Sequence, residues 1–294
     1  MKLIDCFMYF DEDMILDIRL NTLNNYVDKF IICEAKYNHK GIPKKLNFDF
    51  KKFKKFQSKI EYIVLEDQPK NLNSIKNIEP QEIKNSKILD NSLIRENYQR
   101  NYCQKSLKNF SEDDLVLIND LDEIPNLKKF RYKKKITIFK QKLFYYKLNL
   151  LYSNHEWMGS KICKIKHLKT PQTLRNVKPK KYAKWRLDIL FSEKKYNNIA
   201  FIEDGGWHFT NVKTPESIDF KMRNFLHHLE YEKSGLNVSK LKKLIKEKKI
   251  MYNHNADKKD VNKWSNTINL EKIALEYLPI YIVNNISKFK EWID

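Results

Sequence analysis

Asn119-Asp120-Leu121-Asp122-Glu123-Ile124-Pro125 follows directly on an apolar run, Leu115 to Ile118. The run is too short for a helix and reads as a strand covered on both faces. Two carboxylates at alternate positions leaving a strand point to the same side, so Asp120 and Asp122 can share one divalent cation whose shell a bound diphosphate completes with oxygens. Such a cation neutralises charge that develops on a departing diphosphate. An acidic turn that only caps a helix is the competing explanation. A second group, Asp204-Gly205-Gly206-Trp207-His208-Phe209, uses two of the five glycines at once. Adjacent glycines open backbone conformations closed to other residues, and the imidazole of His208 is a potential metal ligand. A glycine turn with a core Trp and a surface His explains the same residues.

Two further groups bear on binding. Arg95, Glu96, Tyr98 and Arg100 lie in the first half of a helical stretch that leads into the acidic strand, where a guanidinium can reach a phosphate or nucleotide; a solvated helix face explains them equally well. Trp157 and Gly159 sit among aromatics, where an indole can stack on the apolar face of a sugar or simply fill a core.

Composition narrows the classes. With five glycines, neither a G-x-G-x-x-G turn nor a G-x-x-x-x-G-K loop can be written, which excludes Rossmann-type NAD enzymes and P-loop NTPases. The four cysteines form no C-x-x-C, so they are expected as buried free thiols of a reducing compartment. Lys and Arg number 57 against 37 acidic residues, yet the excess is spread along the chain and no nucleic-acid reading module accompanies it. No specific nucleic-acid partner is expected. Asp5 and Asp11 interrupt the apolar amino terminus, and no apolar run approaches a bilayer span. The expectation is a cytoplasmic protein without a transmembrane segment, with peripheral contact to anionic membrane open to its basic surface.

The elements that must position these residues alternate. Strands are expected at Leu3 to Phe10, Phe30 to Cys33, Ile60 to Leu65, Leu115 to Ile118, within Ile136 to Tyr152, and at Ile199 to Ile202. Helices are expected over Asp11 to Val27 and Asn91 to Phe110, with a polar loop from Gln68 to Ser86. After Thr214 the pattern turns helical and basic, and Asn269 to Trp292 adds a last apolar helical region. The fold class is therefore α/β: a mostly parallel central sheet with helices on both faces, whose ligands sit beyond the carboxyl ends of the strands. The chain divides into a catalytic domain, 1–212, and a helical extension, 213–294, packed on it.

Together the motifs resemble glycosyltransferase family 17. Glu12, Asp17 and Arg19 stand within its E-x-x-x-x-D-x-R pattern, followed by Val27-Asp28 and Glu34; Tyr98 and Arg100 match the helix before the acidic strand. Asp120 to Pro125 is similar to its D-x-D-E-I-P, and Gly206-Trp207-His208 to its G-W-H, with Thr214-Pro215-Glu216, Phe220-Lys221 and Leu278-Pro279-x-Tyr281 in the family's order. The resemblance implies a GT-A type fold, a nucleotide-sugar donor (UDP-GlcNAc in the characterised branch), Mn²⁺ or Mg²⁺, and inverting transfer to a glycan or glycoconjugate acceptor. With it, Asp120, Asp122 and His208 are expected at the metal and Glu12, Arg19, Glu34, Arg100 and Asp120 around the donor, where the residue reading adds Arg95, Trp157 and Gly159. Inverting transfer needs a carboxylate to take the acceptor proton; Asp204 is the first candidate, with Glu203 and Asp188 behind it. A non-catalytic nucleic-acid or anionic-surface binder and a metal-dependent nucleotidyltransferase are the alternatives.

Overall fold

Leu3–Met8, Lys29–Ala35 and Leu115–Ile118 are buried along nearly their whole length, as strands covered by helices on both faces must be. The computed structural model describes residues 1–294 apart from 184, 190, 226, 227, 257–260 and 265–267. Numbered in chain order, β1 (Leu3–Met8) leads into α1 (Asp13–Leu23), then β2 (Lys29–Ala35), β3 (Ile60–Leu65), α2 (Gln81–Tyr102), the one-turn α3 (Gln104–Leu107) and β4 (Leu115–Ile118). Beyond the acidic turn come β5 (Glu123–Pro125), β6 (Ile136–Phe139), β7 (Gln141–Tyr145), β8 (Leu150–Trp157), β9 (Lys161–Lys164), α4 (Pro171–Arg175), β10 (Ile199–Ile202) and β11 (Gly206–Thr210). The remaining chain supplies α5 (Pro215–Asn224), α6 (His228–Ser234), α7 (Val238–Lys246), β12 (Glu271–Lys272) and α8 (Ile280–Asn284).

Seven strands make one sheet in the order β10-β6-β9-β4-β1-β2-β3. β4, β1, β2 and β3 form a parallel block, and β9 enters antiparallel between β4 and β6. Side chains alternate between its two faces. Leu3, Phe30, Ile32, Leu115 and Leu117 pack under α1, whereas Ile4, Cys6, Ile31, Cys33 and Val116 face Cys103 and Leu107 behind α2 and α3. All four cysteines are buried and free.

The expected single central sheet is incomplete as a description. A second sheet, β12-β8-β7-β11-β5, stands beside the first and is antiparallel except for the β11–β7 pair. Its hairpin follows from chain length, since the short connection 146–149 can join β7 to β8 only antiparallel. Leu143, Tyr145, Leu150 and Tyr152 of this sheet bury Ile218 of α5 and Leu241 and Leu244 of α7. Residues 213–294 share these cores: β12 extends the second sheet, and Leu278, Ile282 and Phe289 enter the core beneath α1.

One boundary differs from the sequence expectation by a wide margin. α2 begins at Gln81, ten residues before the expected start and inside the stretch read as loop. Its first turns are rich in Gln, Glu and Lys, good helix formers, and are largely exposed, so they carry no apolar period to read. Among the described residues no helix is long and apolar enough to cross a membrane.

Candidate active site

A buried cation shapes the acidic turn after β4. Arg19 of α1 is fully buried and grips both carboxylate oxygens of Asp5 in β1, Nε to Oδ2 at 2.9 Å and Nη2 to Oδ1 at 2.6 Å. Its Nη1 donates to the main-chain oxygens of Leu121 at 3.2 Å and Glu123 at 2.6 Å. Burial pushes the Asp5 carboxyl above its usual range in spite of Arg19. Expected at the donor, Arg19 instead fixes the backbone path of the turn and is a positioning residue.

Two more guanidiniums hold the side chains of that turn. Arg175, at the end of α4, donates from Nη1 to Glu123 Oε2 at 2.7 Å and to the Gly159 oxygen at 2.5 Å. Its Nη2 reaches Asp120 Oδ2 at 2.8 Å and Glu123 Oε1 at 2.9 Å. Arg100 donates from Nη2 to Asp120 Oδ1 at 3.0 Å and to Glu96 at 2.7 Å, and its Nη1 to Gln172. Enclosure by the protein would raise the Asp120 carboxyl, but Arg175 and Arg100 outweigh it and hold the group well below the usual carboxylate range. Both Asp120 oxygens are thus engaged by guanidiniums. Glu123 is fully buried and also accepts from Trp157 Nε1 at 2.5 Å.

Asp122 has different company. It stands with one oxygen 3.4 Å from His208 Nε2 and the other 3.9 Å from Lys221 Nζ. Burial opposes its charge, yet His208 and Lys221 together keep its carboxyl below the usual range. β11 delivers His208 by register: Gly206 lies opposite Pro125, Trp207 opposite Ile124 and His208 opposite Glu123. Gly206 has φ +127°, and a Cβ there would come 2.2 Å from the Ile124 oxygen. Gly206 therefore serves the close approach of β11 to β5, Gly205 the close approach to the Lys140 and Ile202 backbone, and His208 reaches the turn by alternation along the strand. Trp207, on the other side, donates to the Tyr277 oxygen at 2.7 Å. α5 brings Lys221; it starts where the Thr214 side chain accepts from Ser217 N and Pro215 fills its first turn. Lys221 also pairs with Glu12 at 3.1 Å, and the pair shifts both groups toward their charged forms against the cost of burial.

These groups line a cleft of about 610 Å³ beyond the carboxyl ends of β1, β2 and β4. Glu12, Asp120, Asp122, Trp157 and His208 from the sequence expectation all face it. Trp157 packs its ring on His208, centroids 4.5 Å apart. Gly159 stands just outside, and a Cβ there would fall 1.9 Å from Glu123 Oε1; the glycine leaves room for the Glu123–Arg175–Trp157 cluster and does not face the first cleft.

Other expected residues lie elsewhere. Glu34 is buried, accepting from Asn47 N at 2.8 Å, Phe48 N at 3.1 Å and Tyr62 Oη at 2.9 Å, so it anchors the loop after β2. Arg95 ties that loop down through Gln68 at 2.7 Å and the His39 oxygen at 3.2 Å. The three carboxylates proposed as base are set apart from the cleft. Asp204 and Glu203 are exposed beside Lys142 and Lys140, at 3.5 and 2.9 Å, in the turn between β10 and β11, before the strand reaches the cleft at His208. Asp188 is exposed and paired with Arg186 at 2.8 Å and Lys195 at 2.5 Å. Arg175, Lys221 and Glu123 form the site without having been singled out; Phe220-Lys221 and D-x-D-E-I-P carried two of them, and nothing local marks Arg175.

No curated protein matches the chain in a sequence search. The family model for glycosyltransferase family 17 matches residues 1–293, which spans both sheets and every residue of the cleft. With the acidic turn and the G-W-H strand meeting at one cleft, the chain belongs to glycosyltransferase family 17 and is a glycosyltransferase.

Proposed function

We propose that this protein moves a sugar, with GlcNAc the first candidate, from a UDP-sugar to a hydroxyl of a glycan or glycoconjugate, with inversion, on a GT-A type fold. The observation that carries this reading is the meeting of Asp122, in the turn after β4, and His208, on β11, 3.4 Å apart in a cleft at the carboxyl ends of parallel strands. Of Mn²⁺ and Mg²⁺, Mn²⁺ fits this pair, since Mg²⁺ prefers an all-oxygen shell. A carboxylate and an imidazole are a suitable donor set, and His208 Nδ1 is buried without a hydrogen-bond partner while Nε2 faces Asp122. Among the described residues no group of three His, Cys, Asp or Glu side chains is arranged to hold a metal. The diphosphate would therefore complete the shell, and Asp120, gripped by Arg100 and Arg175, sits behind it. Once bound, the cation would stabilise charge on the departing diphosphate.

The chain's own groups support the same event. Lys221 brings a positive charge beside Asp122, where a diphosphate oxygen can accept from it. Arg19 and Arg175 fix the turn so that Asp122 is presented without reorganisation.

The main chain already joins β11 to the turn after β4; a cation shared by Asp122 and His208 would add a second link there, and only nucleotide would complete that cation's shell. UDP and Mn²⁺ together are therefore expected to raise the melting temperature more than the sum of either alone, since ligands of the folded state stabilise it by mass action. His208→Ala removes most of that synergy and, because the buried ring packs on Trp157, lowers the unliganded melting temperature by only a few degrees. A variant grossly unstable without ligand would make His208 a core residue, and undiminished synergy would leave the cation to Asp122 and the nucleotide.

A further inference from the structure

Two clefts meet at this site and share a wall. The second, of about 670 Å³, is lined by His155, Trp157, Lys161, Gln172, Asn176 and neighbours. Glu96, Trp157 and Arg175 face both clefts. The carboxylates on the first are Glu12, Glu96, Asp120 and Asp122; those on the second are Glu96 and Glu156. Among the described residues Glu96 is thus the carboxylate common to the two.

The remaining acids of the first cleft have other work. Asp120 gives its two oxygens to two guanidiniums, Glu12 is held by Lys221 and Lys213 at 3.1 and 3.5 Å, and Asp122 faces His208. Glu96 has one guanidinium contact, Arg100 Nη2 to Oε1 at 2.7 Å, and Arg100 is itself fixed by Asp120 and Gln172. That contact orients the carboxylate on α2 without enclosing it. The second cleft has the chemistry of a saccharide site: the Asn176 amide nitrogen, oriented by the bond from Gln172 to its oxygen at 2.9 Å, can donate to hydroxyls, and the Trp157 indole can lie on a sugar's C–H face. The cation pair and Lys221 belong to the first cleft, so the diphosphate end of the donor does too.

We propose that the second cleft receives the acceptor saccharide and that Glu96, on the shared wall, is the catalytic base. The inference rests on the inverting-transfer reading above. The acceptor hydroxyl gives its proton to the Glu96 carboxylate as its oxygen bonds the anomeric carbon; the bond from that carbon to the diphosphate oxygen breaks, and its electron pair leaves with UDP. Glu96 then returns the proton to solvent.

Azide separates this role from a structural one, because it attacks an anomeric carbon without a proton to lose. UDP-GlcNAc is offered with p-nitrophenyl glycosides (water being the minimal hydroxyl acceptor) or with sodium azide. Glu96→Ala and Glu96→Gln should slow transfer to hydroxyls by roughly two to four orders of magnitude, while glycosyl azide forms at a rate close to that of the wild type. Asn176→Trp, which fills the second cleft, should raise KM for the glycoside and leave KM for UDP-GlcNAc in place. Hydroxyl transfer within a few-fold of wild type in both Glu96 variants overturns the base; loss of the azide reaction along with it makes Glu96 a donor-positioning group instead. An unchanged glycoside KM in Asn176→Trp puts the acceptor elsewhere. If the wild type turns over UDP-GlcNAc with neither hydroxyls nor azide, the transfer reading fails first and this inference falls with it.

Discussion

Asp122→Asn is expected to lower sugar transfer by on the order of 10³ in kcat while the protein stays folded. The substitution keeps the size of the side chain and removes its charge, so the variant loses the anionic oxygen that faces His208 at 3.4 Å. The turn itself should survive. Its main chain is held by Arg19 through the Leu121 and Glu123 oxygens and by the bond from Phe209 N to the Asp122 oxygen at 2.9 Å, none of which needs the carboxylate. The far-ultraviolet circular dichroism and melting temperature should match the wild type to within a few degrees. Transfer near the wild-type rate would show that the pair is not where the donor's diphosphate is bound.

Arg175→Met is expected to act on stability first. Arg175 supplies four hydrogen bonds to Asp120, Glu123 and Gly159, and Glu123 is fully enclosed. Removing the guanidinium leaves a buried carboxylate without its cation, a change that costs about 3–5 kcal/mol and, in a chain of this size, lowers the melting temperature by roughly 6–10 °C. The cause can be isolated. Adding Glu123→Gln to the same chain removes the uncompensated charge and should recover part of the loss, since a neutral amide can still accept from Trp157. A melting temperature unchanged in Arg175→Met would mean that solvent reaches Glu123 and that the cluster does not hold the turn.

Much of this arrangement was legible in the residues because local patterns carry it. A four-residue apolar run ending in D-x-D fixes β4 and what lies beyond it, and G-W-H places an imidazole on an alternating strand. What could not be read is pairing at a distance. Arg19 looks like a ligand residue in its motif, yet its partner Asp5 lies on β1 and the carbonyls it binds lie a hundred residues further on. Arg175 sits in a stretch without any signal, since its partners Asp120 and Glu123 come together with it only when α4 folds over the turn. Glu203 and Asp204 were attractive because they adjoin the glycines, but β11 carries only every second side chain to the cleft and starts well outside it. The second sheet was hidden for a similar reason: aromatic strands at 136–157 show strand character without revealing which sheet each joins.

The most direct test of the account is release of UDP from UDP-GlcNAc and other UDP-sugars, followed by chromatography with and without EDTA. Slow release is expected that EDTA abolishes, that Mn²⁺ restores, that an accepting glycoside accelerates, and that Asp122→Asn lacks. Release that continues undiminished in EDTA and in Asp122→Asn, or none from any UDP-sugar with Mn²⁺ present, would contradict it.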